Sequence, residues 1–188
     1  MMSSIYYKNI ACLESLWDAD VENKLTVAPL LEVIAVMNRI HFSHLSCNTL
    51  GELQFNLRAL PRKPSYRILY LAFHGNPGEI YLGDGSLVTL EDLAGMMAGR
   101  FAGWIIHFGA CGTLDVPRER LSDFYRQTGV AMMVGYCNEI NWVESAAMDL
   151  ILLDKMQSYK NMGAMWNRVR LKYRDLVKNT GLIVYSER

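Results

Sequence analysis

Two short apolar runs stand out from the alternation of hydrophobic and polar positions along the chain. The first, Ile68-Leu69-Tyr70-Leu71-Ala72-Phe73, is closed by His74-Gly75; the second, Trp104-Ile105-Ile106-His107-Phe108, is closed by Gly109-Ala110-Cys111-Gly112. Both are rich in β-branched and aromatic residues and nearly free of charge, the pattern of strands buried on both faces of a parallel sheet. Asn9 to Leu13 predicts a first strand, Val130 to Tyr136 another parallel strand, and Leu182 to Tyr185 a short last one.

Helical spacing fills the intervals. Thr26 and Pro29 open a helix whose apolar positions Leu30, Val33, Ile34 and Met37 predict the face laid on the sheet. A short extended piece, Ile40 to Leu45, precedes Thr49-Leu50-Gly51-Glu52, which has the form of a capping box and starts a helix that stops before Pro61. Glu79 to Leu82, the turn Gly83-Asp84-Gly85, and Ser86 to Val88 read as a hairpin. Thr89 caps a helix ending near Arg100, and Glu119 to Gln127 forms another. Ser145 caps a helix through Asp149, Leu153 and Met156, and a longer amphipathic helix runs from about Met162 to Lys178 until Gly181 ends it. Strands alternating with helices predict an α/β protein: a three-layer αβα sandwich with a mostly parallel sheet and a β-hairpin inserted after the His-Gly strand. No repeat, linker or low-complexity stretch divides residues 1–188, so a single domain is expected.

Composition narrows the classes. With 51% hydrophobic and 20% charged residues, the chain has material for one sizeable core. Its formal charge is zero and no Lys/Arg block stands out, which argues against nucleic acid as a partner. Residues Met1 to Lys8 lack a basic and apolar leader, and no apolar run approaches membrane-spanning length, so a cytoplasmic protein without a membrane partner is expected. Four cysteines without tight spacing argue against a disulfide scaffold, and Cys12 and Cys47 read as small buried hydrophobes. His41 and His44, near Cys47, lie three apart on an extended segment and face opposite ways, so no metal site is predicted there. Gly75-Asn76-Pro77-Gly78 and Gly83-Asp84-Gly85 lack the strand-to-helix context of a phosphate loop and read as turns.

The chemistry sits at the strand ends. In open α/β sheets ligands bind at the carboxyl edge, and here that edge receives an imidazole, His74, and a thiol, Cys111. Gly109-Ala110-Cys111-Gly112-Thr113 superficially resembles a nucleophile elbow, but such folds place their histidine after the nucleophile, and none follows His107. His107 lies four positions before Cys111 on the same segment, roughly 13 Å away at strand rise. His74 is therefore the histidine that can reach. Cys137 also ends a strand and reads as pocket wall or core.

An apolar strand ending in His-Gly, followed about forty residues later by one ending in Ala-Cys, resembles the caspase-like cysteine peptidases. The segment Leu82 to Leu93 is similar to the hairpin and following helix of bacterial CHAT domains. The likeness spans residues 5 to 185 in topology and is motif-level at His74-Gly75 and Ala110-Cys111-Gly112. It implies a caspase-like fold in which Cys111 is the nucleophile, His74 protonates the leaving amine, the N–H groups of Gly75 and Cys111 form an oxyanion hole, and Gly112 leaves room for substrate backbone. It implies no metal or organic cofactor. Caspases carry Gln two residues before the nucleophile, where this chain has Gly109, so the pocket for the P1 side chain is built differently. Between Lys8 and Lys24 the only charge carried by the loop after the first strand is negative. Asp18 or Asp20, or Glu139 after the fourth apolar run, is expected to accept a basic P1 residue; otherwise the acidic loop Glu14 to Glu22 is simply solvated. The expected function is a cysteine endopeptidase acting on peptide or protein substrates under the control of a regulatory protein partner. A catalytically silent caspase-like interaction module is the alternative, with a small-molecule hydrolase or acyltransferase third.

Overall fold

A computed structural model describes residues 8–18, 20, 22 and 25–186; residues 1–7, read above for a leader, lie outside the described residues. The chain runs β1 (Asn9–Glu14), α1 (Ala28–Asn38), β2 (Phe42–Ser46), α2 (Leu50–Ala59) and β3 (Tyr66–Ala72). Three short strands follow, β4 (His74–Asn76), β5 (Glu79–Tyr81) and β6 (Leu87–Thr89), then α3 (Leu90–Met97), β7 (Ile105–Phe108), α4 (Arg118–Thr128) and β8 (Met132–Tyr136). The chain closes with α5 (Trp142–Ser158), α6 (Met162–Lys172), α7 (Arg174–Thr180) and β9 (Leu182–Tyr185).

The main sheet has the order β2-β1-β3-β7-β8-β9 and is parallel except for β9, which runs antiparallel to β8. Period-two alternation divides each central strand between two cores. Ala11, Leu13, Leu69, Leu71 and Phe73 pack with α2, α3 and α4 through Leu53, Leu57, Leu93 and Phe124. Ile10, Cys12, Ile68 and Tyr70 pack on the other side with α1, α5 and α6 through Leu31, Ile34, Leu152 and Met165. Helices thus cover both faces, giving a three-layer α/β sandwich, and the central strands have no solvent-facing side. No described helix is long and apolar enough to cross a membrane.

The predicted capping boxes are present at Thr49/Glu52 and again at Thr89/Asp92. Four local readings change. In α1 the buried stripe is Leu31, Ile34 and Asn38, whereas Val33 and Met37 are 52% and 73% exposed. This helix is apolar nearly all round, so periodicity does not single out a face; packing on α5 does. Helix α5 starts at Trp142, because the Asn141 side chain accepts from the Val143 N–H at 2.9 Å, and Ser145 instead donates its hydroxyl to Trp142 O within the helix. The long last helix is two, parted where Tyr173 leaves helical geometry (φ −118°, ψ 36°). The hairpin is also larger than predicted: β4, which begins at His74 itself, pairs with β5 to make a second sheet of three antiparallel strands.

Leu57 is fully buried between α2 and the sheet. Leu57→Ala is expected to lower unfolding free energy by about 2–5 kcal/mol in urea titrations.

Candidate active site

Both strands deliver their titratable residues to one rim. Beyond Ala72 the chain leaves the main sheet and turns into β4, so His74 rises from the carboxyl end of β3; beyond Phe108 the segment Gly109 to Gly112 leaves the carboxyl end of the adjacent strand β7. An open cleft of about 410 Å³ brings together His74, Gly75, Cys111, Gly112 and Glu139, with Asn76, Pro77, Tyr81 and Cys137 completing its wall. Asp18 and Asp20, both exposed, are not part of that lining; the Asp20 N–H bonds the Asp18 carboxylate within their own loop.

The two walls are joined at Thr113. Its hydroxyl donates to Glu79 O at 3.1 Å, and its carbonyl accepts from the Gly78 N–H at 3.0 Å, so the hairpin carrying His74 is held against the turn carrying Cys111. Contact is close enough to require glycine at Gly75: a Cβ there would lie 2.3 Å from Thr113 Oγ1 and 2.9 Å from Cys111 O. Gly112 is needed for another reason, its φ of +62°, and its N–H donates to Asn138 O at 3.1 Å, fixing the loop that carries Glu139. Among the described residues the N–H of Cys111 donates to no backbone carbonyl.

His74 is exposed, and its Nε2 lies 2.8 Å from the Trp17 carbonyl. A carbonyl only accepts, so Nε2 carries the hydrogen and Nδ1 is the basic nitrogen of the neutral ring. Trp17 is itself anchored. Its indole meets His74 edge-on at 5.2 Å and Trp142 at 4.9 Å, and its Nε1–H donates to Glu14 at 2.6 Å. Glu14, read above as part of a solvated loop, is only 6% exposed and also accepts from Thr26 Oγ1, the Val27 N–H and His44 Nε2 at 2.6, 2.8 and 2.5 Å. It is the last residue of β1, and its four donors make its burial favourable. His44 therefore belongs to this hydrogen-bonded cluster, and no group of residues suited to a metal ion occurs among the described residues.

Sequence reasoning missed Trp17, because its contribution is a main-chain carbonyl that no side-chain pattern announces. It also missed the buried carboxylate Asp149, which accepts from His107 Nε2, Tyr70 OH and Tyr136 OH beneath the site. Burial pushes the hydroxyls of Tyr70 and Tyr136 to higher pKa, and the adjacent Asp149 carboxylate adds to the effect. Gly109 has its own explanation: a Cβ there would sit 2.3 Å from the Tyr70 ring, so a side chain at this position has no room.

The four thiols are unpaired and sit in different environments. Cys12 and Cys47 are fully buried; burial raises the pKa of both, that of Cys47 to about 12. Cys111 and Cys137 are partly exposed in the cleft wall, with burial and then the Asp115 charge raising Cys137. Raised values keep a thiol protonated and unreactive. Iodoacetamide at about pH 8 is thus expected to reach the partly exposed Cys111 and, more slowly, Cys137 in the native protein, and Cys12 and Cys47 only after denaturation; peptide mass mapping reads the order.

A family model described as a family of unknown function, DUF6642, matches residues 7–186, and the chain belongs to that family. No curated protein matches the sequence.

Proposed function

We propose that this protein is a cysteine endopeptidase of caspase-like type, with Cys111 as nucleophile and His74 as its acid–base partner. The observation that carries the reading is that His74 and Cys111 share one open cleft while a main-chain carbonyl fixes the imidazole tautomer. The thiol proton passes to His74, and the sulfur attacks the substrate carbonyl carbon. The oxyanion that forms is received by the N–H of Cys111 together with that of Gly75, whose missing side chain permits the approach. Collapse breaks the C–N bond as the imidazolium returns a proton to the leaving amine, and a thioester remains on Cys111. Water then attacks the thioester, His74 taking its proton and passing it to the departing sulfur. No metal or organic cofactor enters these steps.

Among the described residues Glu139 is the one Asp or Glu in the cleft lining, and that lining includes no described Lys or Arg. A basic P1 side chain is the complement of that charge. Asp18 and Asp20 lie outside that lining, so the proposal places the P1 charge on Glu139. Four unpaired thiols support a reducing, cytoplasmic setting. A regulatory protein partner and a protein substrate remain part of the reading.

The reading is tested with an irreversible peptidyl acyloxymethyl ketone bearing P1 Arg. Wild type is expected to be labelled at Cys111, Cys111→Ala to show none, and His74→Ala to react about 10²–10⁴-fold more slowly. Labelling retained in both variants moves the reactive thiol to Cys137, and a wild type that takes neither this probe nor its P1 Asp and P1 Leu counterparts makes the chain a silent interaction module. For P1, Glu139→Gln is expected to reduce turnover of Arg and Lys peptides by about tenfold or more relative to P1 Leu peptides; cleavage after Asp but not after Arg or Lys overturns the basic preference.

A further inference from the structure

Four polar side chains meet inside the core just below Cys111, and the hydrolytic steps above use none of them. Asp149 projects from α5, is 3% exposed, and accepts from Tyr70 OH at 2.5 Å, Tyr136 OH at 2.5 Å and His107 Nε2 at 2.6 Å. The donors come from three neighbouring strands, β3, β8 and β7. Tyr70 and His107 also stack, with ring centroids 4.9 Å apart, and His107 Nδ1 is buried without a partner. Burying a carboxylate and leaving a ring nitrogen unsatisfied both oppose folding, and an apolar cluster of similar volume would fill the same space without that cost. The cluster therefore calls for a role other than stability.

Its two tyrosines bracket the nucleophile turn. The Tyr70 ring occupies the space a side chain at Gly109 would need, on the approach to Cys111. Tyr136 ends β8, and its carbonyl accepts from the Leu114 N–H at 3.3 Å, on the exit from Cys111. Both hydroxyls end on the same carboxylate.

We propose that Asp149 is a positioning residue for Cys111: through Tyr70 and Tyr136 it clamps the Gly109–Leu114 segment from both sides and so sets where the sulfur stands in the cleft. This rests on Cys111 being the nucleophile. Electrostatic coupling between Tyr136 and Cys111, which raises the Tyr136 pKa as a minor contribution, agrees with their nearness.

Asp149→Asn and Tyr136→Phe keep shape while breaking the clamp, and both are compared with Met165→Ala, a cavity variant in the same core on α6, which carries neither the turn nor the carboxylate. Each protein is followed by thermal unfolding, by labelling with the P1 Arg probe over a concentration series, and by iodoacetamide alkylation of Cys111. The clamp variants are expected to lose about ten- to a hundredfold in the limiting labelling rate while the half-saturating probe concentration stays within about twofold. Met165→Ala, though less stable, is expected to label as wild type does. Equal loss in Met165→Ala, or limiting rates within about twofold of wild type in both clamp variants, overturns the proposal. Should wild type alkylate at Cys111 but ignore the peptide probe, the peptidase reading fails, and alkylation alone decides the clamp: a change of about threefold or more in Asp149→Asn supports it, and an unchanged rate overturns it.

Discussion

The contact between Thr113 and the β4–β5 hairpin is what the site depends on. The main sheet delivers β3 and β7 side by side, but it stops short of both His74 and Cys111, which lie on chain that has already left it. Two bonds at Thr113, its hydroxyl donating to Glu79 O and its carbonyl accepting from the Gly78 N–H, tie the two departing segments together as the walls of one cleft. Thr113 is fully buried, so these bonds are shielded from water, where a hydrogen bond is electrostatically stronger. Gly75 follows from the same contact, since closing the walls to this distance leaves no volume for a methyl group.

Supports outside the cleft then orient its parts. Glu14, at the end of β1, gathers the Trp17 indole, the Thr26 hydroxyl, the Val27 amide and His44, and in doing so fixes the loop whose carbonyl holds His74. On the other side Asn138 ties the loop after β8 to Gly112. The imidazole and the thiol are thus held through separate anchors, one reached through β1 and one through β8.

Much of the fold was legible from local chemistry. Thr49 with Glu52 and Thr89 with Asp92 state their helix starts within four residues, and Asp84-Gly85 between apolar pairs states its turn, because in each case the partners are close in sequence. His74, Gly75, Cys111 and Gly112 were legible together, since strand ends converge at one rim in this class of sheet. The buried face of α1 was not, because Leu31 and Val33 are equally apolar and only the position of α5 distinguishes them. Glu14 was misread for a related reason: its four donors come from residues 17, 26, 27 and 44, and no acidic run in a sequence reveals that one member turns inward. Composition does not say which of Asp18, Asp20 and Glu139 lies in the cleft; Glu139 does, beside the bond from Gly112 to Asn138.

The Tyr70 ring beneath Gly109 has an evolutionary corollary. With that position closed by a side chain anchored in the core, discrimination among ligands would, under the proposed function, fall to Asn76 and Pro77 of the hairpin and to Glu139. These residues lie outside both packed cores, so under that reading recognition could change while the interior stays constant.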